Sequence, residues 1–331
     1  MKRGLVEPVG ANADVYQARV ERLRERMRHA GVEVALLYGD VYRSDDIAHL
    51  TNLCIYWNEG VVAVPTEGSA ALLAKLSKRV HPWMRRTSTL TDLRASQQLP
   101  ELIGAYLDER RAGQVGLVDE RWWPAPLVDG IRSTHSDRAY VDMPEAVRTE
   151  RIVPDALDRA DIRRAGALVR AGLGAAVDGN GTPAERIAEL EFAARAGGAR
   201  DVIARCLPTA FGLHVECSVQ FANVWAHGSR MADGDSALEA AFAAASAALA
   251  PEVTLAALQR VAGDGVLVSL ISHTDIATDG DLMVPPNSAD SLPPGGAFVL
   301  RVGRGAVGLA DTYLLAGSSS EPLTRSLEAA A

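Results

Sequence analysis

Residues 214–231 read HVECSVQFANVWAHGSRM, and the alternation in their first half decides how this part of the chain folds. His214, Glu216, Ser218 and Gln220 fall on one side of an extended chain, and Val215, Cys217, Val219 and Phe221 on the other. The pattern predicts a strand with one apolar and one polar face. A second short strand is predicted over 223–227 after a tight bend, which brings His227 close to Glu216 on the neighbouring strand. Two His, one Glu, one Cys, one Trp and one Arg within 18 residues make this the densest concentration of reactive side chains. An edge strand with a solvated polar face is the alternative, and the pattern alone leaves both open. Cys217 is expected in the core as a small hydrophobe, because no activating base adjoins it in sequence.

Working outward, the chain alternates helix and strand. VYQARVERLRERMRHA (15–30) predicts an amphipathic helix with Val20, Leu23 and Met27 on one face and Gly31 closing it. Strands are predicted at VEVALLYG, GVVAVP, SAALLAK, QVGLVDE and AYVDM. Helices are predicted from Ser44 as N-cap, near 78–86, at 97–111 and near 125–133. Pro154 marks a junction, and a long helix is predicted over 158–177. Thr182, Pro183 and Glu185 form a capping-box signature for a helix running to Ala196. Downstream, helices are predicted at 235–250 and 254–262, and a strand at GDGVLVSLI. A hairpin is predicted from AFVLRVG and AVGLADTYLLAG, with Gly303 and Gly305 near its turn. The fold class is α/β (α+β), in two domains, 1–150 and 151–331.

Composition narrows the function classes. The 331 residues carry a formal charge of −8, which disfavours a nucleic-acid backbone as partner. No apolar run approaches the ~20 residues that span a bilayer, and no basic amphipathic helix suggests a membrane surface. MKRGLVEPVG lacks a signal-type apolar segment, so the expected location is the cytoplasm. Cys54, Cys206 and Cys217 are too widely spaced for a zinc knuckle or a disulfide framework.

Several segments, taken in order, resemble the creatinase/prolidase/aminopeptidase P superfamily, the pita-bread fold. RVERLRERMRHAGVEVALLYGDVYRSDDIAHLTN resembles its creatinase-type N-terminal domain. ALDRADIRRAGALVRAGL, GTPAERIAELEFAARAGGA, SLPPGGAFVL and AVGLADTYLLAGSSSEPLT resemble successive parts of the catalytic domain. Metal-dependent members use two Asp on a hairpin, a His from a Gly-rich strand and two Glu near the end. Aligning Arg230 with the Arg closing the hairpin motif puts Glu216 and His227 at the Asp positions. Arg301 and Ala310 then stand where the two Glu belong, and His273 is nearest to the metal-binding His. A cation at Arg301 opposes metal binding by direct repulsion. The resemblance therefore implies a chain without the paired metals, and no cofactor is expected.

Creatinase, a metal-free member, hydrolyses a C–N bond with His and Glu side chains. By that resemblance His227 is the expected acid–base group and Glu216 its orienting partner or the anchor of a substrate cation. Arg301 is expected to hold the carboxylate of a small amino-acid-like or guanidino-like substrate, with Arg230 in the same role or paired with Glu216. His214, His273 and Asp311 form a second tier, and Trp225 is expected to line the pocket. The plainer reading of Arg230 and Asp311 is a structural ion pair. Two alternatives accompany the enzyme: a pseudo-peptidase that binds a ligand or protein, and a mononuclear metal site of Glu216, His227 and Asp311 or His273. The resemblance also implies a homodimer in which Tyr56–Glu59 cover the pocket. Trp122 and Trp123 are expected at a domain or subunit interface. The chain is shorter than typical relatives, with the shortfall placed around 205–215 and 270–290.

Overall fold

The computed structural model describes residues 12–55, 58–273 and 291–325. The chain divides into two compact units at the step from Arg151 to Ile152.

The first unit is a sheet covered on both faces. Its strands are β1 (Val34–Gly39), β2 (Gly60–Pro65), β3 (Ala71–Ala74), β4 (Asp92–Ala95), β5 (Gln114–Val118) and β6 (Ala139–Met143), in the order β4-β3-β2-β1-β5-β6. The β1–β5, β5–β6 and β3–β4 pairs are parallel, whereas β1–β2 and β2–β3 are antiparallel. Its helices are α1 (Ala13–His29), α2 (Asp45–Thr51), α3 (His81–Thr87), α4 (Leu99–Arg110), α5 (Ala125–Thr134) and the single turn α6 (Arg148–Arg151). Alternate residues of β1 face opposite cores. Ala35 and Leu37 pack with α1 and α2, while Val34 and Leu36 pack with α4 and α5. That double burial explains why VALLYG reads as a continuous apolar run rather than an alternating one.

The second unit holds two smaller sheets. β7 (Asp201–Thr209), β8 (Gly212–Phe221) and β9 (Val224–Met231) form an antiparallel sheet with β8 in the middle. The helices α7 (Ala156–Asp178) and α8 (Pro183–Ala196) cover one face of it, burying Val215, Cys217 and Val219 against Leu168, Val169 and Leu190. The remaining strands, β10 (Leu267–Ser272), β11 (Ala297–Arg304), β12 (Val307–Ala316) and β13 (Ser319–Pro322), form the second antiparallel sheet. Helices α9 (Ser236–Ala248) and α10 (Leu255–Ala262) pack on its outer face through Leu238, Phe242 and Leu258. Thr182 caps α8 as its sequence predicts, accepting from Glu185 N while the Glu185 carboxylate accepts from Thr182 N at 2.8 Å.

The two sheets of this unit join along β9 and β12 through side-chain hydroxyls. Ser229 Oγ donates to Gly308 O at 2.8 Å and accepts from Ala310 N at 2.8 Å. Thr312 Oγ1 donates to His227 O and accepts from His227 N, both at 2.8 Å. Each hydroxyl, being donor and acceptor at once, satisfies backbone groups that a direct ladder would otherwise have to pair.

Several expectations change here. The 214–221 strand is not an edge: β7 flanks it, and His214, Glu216 and Ser218 are all buried. Around 205–215 the chain forms a continuous hairpin, with Asp201 paired to Gln220 and Thr209 to Gly212. Three strands, β4, β7 and β13, lie where no strand is predicted. Of the tryptophan pair, Trp123 belongs to the core of its own unit and donates Nε1–H to Val118 O. Trp122 stays exposed under the Arg43 guanidinium at 4.1 Å. Residues 56, 57 and 274–290, which bear on pocket coverage and on the 270–290 shortfall, lie outside the described residues.

Candidate functional site

The polar face of β8 and β9 looks toward the inner face of β11 and β12. Register fixes which side chains share it. Glu216 pairs with Ser229 and Ser218 with His227, so His214, Glu216, Ser218, Trp225, His227 and Ser229 project to one side. On the other sheet Arg301 pairs with Ala310, so these two share the face that packs toward β9.

Glu216 is the electrostatic centre. Its Oε2 accepts from Arg205 Nε at 3.0 Å and from Arg205 Nη2, and its Oε1 accepts from Arg301 Nη2 at 3.2 Å. His214 Nε2 stands 3.8 Å from Oε1. Burial pushes the Glu216 carboxyl upward, but the Arg301 guanidinium, with smaller help from Arg205, outweighs it. The group is held below its ordinary range and stays ionised.

The two histidines are neutral. His214 Nε2 lies 2.7 Å from Gly308 O, so that nitrogen carries the proton and donates it. Burial lowers its pKa against the pull of Gly308 and Glu216. Burial lowers that of His227 much further, to about 4, with Glu216 opposing and the arginines assisting. The ring of His227 is held by Ser218, whose Oγ is 2.8 Å from Nδ1. Its Nε2 is buried and has no hydrogen-bond partner among the described residues. The residue orienting His227 is therefore Ser218, and Glu216 turns instead to the two arginines.

The other expected residues are placed as follows. Arg230 pairs with Val215, on the opposite face of its sheet from Glu216; it does not enter this cluster. Trp225 is buried on the shared face, and its backbone N–H donates to His273 O at 3.0 Å. His273, at the end of β10, is buried with Nδ1 3.2 Å from Ala297 O. Asp311 pairs with Leu300 on the helix-covered face, away from Arg301. Its Oδ1 accepts from Thr324 Oγ1 at 2.6 Å, Thr324 N at 2.7 Å and Leu323 N at 3.3 Å, clamping the segment after β13. Burial pushes its pKa up despite these donors. Cys217 sits in the α7/α8 core as expected, its thiol pushed up to about 12 by burial.

The donor set does not fit a pair of divalent metals. A guanidinium bears directly on Glu216, Ala310 offers no donor, and Asp311 points to the other face. Among the described residues no three His, Cys, Asp or Glu groups converge as ligands, which also removes the mononuclear set built on Asp311. Arg205, absent from the expected site, belongs to it through β7. DVIARCLPT carries no period-two alternation of residue type, since Ile203 shares the exposed face with Asp201, and only the structure shows the strand, with Val202 and Cys206 buried.

By sequence, no family profile and no curated protein matches the chain. Solved structures do match in shape. The prolidase from Pyrococcus horikoshii OT3 superposes with a TM-score of 0.75 at 14% identity, covering 93% of this chain and 98% of that one. The X-Pro aminopeptidase from Thermotoga maritima MSB8 gives a TM-score of 0.75 at 16% identity, covering 91% and 98%. The dipeptidase PepE from Mycobacterium ulcerans gives 0.66 at 17% identity, covering 95% and 97%. These superpositions show that the protein has the pita-bread fold of the creatinase/prolidase/aminopeptidase P superfamily.

Proposed function

We propose that the protein is a hydrolase of the pita-bread superfamily that works without paired metals on a small amino-acid-like or guanidino-like substrate. The observation supporting this is His227: a neutral imidazole, held at Nδ1 by Ser218, with Nε2 free of any partner among the described residues. With Nδ1–H donating to Ser218 Oγ, Nε2 presents a lone pair. It takes a proton from the attacking water and returns it to the leaving nitrogen as the C–N bond breaks. Glu216 stays ionised and keeps the two arginines in place rather than acting as the base. The substrate is small because the groups are enclosed between two sheets, and a cytoplasmic homodimer belongs to the same reading.

The experiment is a screen of dipeptides, acylated amino acids and guanidino acids against the wild-type protein and His227→Gln. Turnover should be lost in the variant. In the wild type it should fall as pH drops through about 4, where His227 takes up its proton. Turnover unchanged in His227→Gln contradicts the assignment.

One observation favours a second reading, a binding protein that breaks no bond. Both oxygens of Glu216 are already engaged by guanidinium groups, and His227 is only 4% exposed. Specific ligand binding with no turnover across the screen establishes that reading.

A further inference from the structure

We propose that Arg205, Glu216 and Arg301 form a guanidinium clamp for a ligand bearing one carboxylate, with Glu216 holding the ligand's place at Arg205 until it binds. The inference rests on the reading of this face as the functional site. It adds the charge the ligand must carry and assigns Arg205 as a specificity-determining residue.

Charge counting comes first. Two guanidinium groups are permanently cationic, Glu216 is ionised, and both histidines are neutral, which leaves one uncompensated positive charge. A monoanion balances it, whereas a phosphate monoester, with close to two negative charges, overshoots. Unused donors come second. Each guanidinium offers five N–H groups; Arg301 bonds Glu216 through Nη2 alone, and Arg205 through Nε and Nη2. The planar fork of such a group matches a carboxylate edge to edge.

The two jaws differ. Arg301 has a built seat: its guanidinium lies across the bare backbones of Gly303 and Gly308, which are cross-strand partners. A Cβ at Gly308 would stand 2.8 Å from Arg301 Cζ, and one at Gly303 would stand 2.8 Å from Nη1. Its side chain is 24% exposed. Arg205 projects from the edge strand β7 and is 48% exposed, so it is the jaw able to exchange partners. An independent sign of a ligand is His227 Nε2, a buried ring nitrogen on the same face with no hydrogen-bond partner among the described residues. It is available to a second polar group of the same molecule.

The test is calorimetric and thermal titration with acetate, against chloride and inorganic phosphate at matched ionic strength. Acetate should bind saturably and raise the melting temperature, and the other two should not. Arg205→Gln and Arg301→Gln should each weaken acetate at least about tenfold, the loss of one charge-assisted contact. Gly308→Ala, which keeps every charge, should weaken it as Arg301→Gln does. In Glu216→Ala, acetate should restore stability lost with the side chain; Glu216→Gln serves if the alanine variant does not fold. Acetate acting no better than chloride, phosphate binding more tightly, or both arginine variants binding normally overturns the clamp. Acetate binding without turnover of any substrate retires the hydrolase and leaves the clamp. Turnover by a protein that does not bind acetate does the reverse.

Discussion

Two carboxylates buried in the same unit meet opposite surroundings. Glu216 is 8% exposed and Asp311 is 1% exposed, yet the first is held below the ordinary carboxylate range and the second above it. Glu216 is answered by cations. Asp311 is answered by hydrogen-bond donors from Leu323 and Thr324, while its Oδ2 has no partner among the described residues. At Asp311 these donors and the weaker pull of Arg325 do not offset burial, whereas at Glu216 a guanidinium in contact does. Burial by itself therefore does not mark a functional carboxylate. Asp311 fastens a chain segment, and Glu216 sits in a charged cluster that can exchange partners.

The largest way to break this contrast is to remove the cation. Arg301→Met leaves Glu216 with Arg205 alone and should cost about 3 kcal/mol at neutral pH, reduced from a fully buried pair because Arg301 is partly exposed. Arg301→Met combined with Glu216→Gln should regain most of that loss in denaturant titration, since the buried carboxylate that Arg301 serves is then gone. A similar magnitude is expected from His227, but only at low pH. Its folded pKa, about 4, lies below the 6.5 of the free side chain, so the unfolded chain binds the proton first. Stability is full above 6.5 and falls as pH drops toward about 4, by roughly 3 kcal/mol. His227→Gln should flatten that part of the stability–pH curve.

Asp311 gives a smaller effect of opposite sign. With its folded pKa raised, it contributes stability below its unfolded pKa that is lost as pH rises through the folded value. Thr324→Ala removes its shortest hydrogen bond and should cost about 1–2 kcal/mol at neutral pH, less in acid once the carboxyl is protonated. Arg205→Gln should be the mildest, below about 1 kcal/mol, because its side chain is half exposed. Equal costs for Arg205→Gln and Arg301→Met would remove the distinction between a fixed and a free jaw.

Much of this architecture is legible in the sequence, for reasons visible in individual segments. The alternation of 214–221 gives both the strand and its buried face, and Thr182 with Glu185 gives the start of α8. The double-sided burial of VALLYG marks a covered sheet. The site is only partly legible. The positions of Glu216, His227 and Arg301 follow from the order of the motifs, but their partners do not. Arg205 pairs with Glu216 across a hairpin whose first strand carries a proline and two charges, so the strand goes unrecognised. Ser218 reads as one more polar residue until the register sets it opposite His227. Arg230 and Asp311 are drawn into the expected site by their places in the matched motifs, and the period of two turns each to the other face. Pairing across strands, rather than residue type, decides which of these groups meet.

The most direct test of the idea that a guanidinium serves Glu216 in place of bound metal is metal stoichiometry. The purified protein, incubated with Mn, Co, Zn and Fe and then desalted, is assayed by elemental mass spectrometry alongside Glu216→Gln and His227→Gln. Far less than one equivalent of every metal is expected in all three proteins. One or two equivalents in the wild type, lost in the two variants, would contradict it and make this face a metal centre.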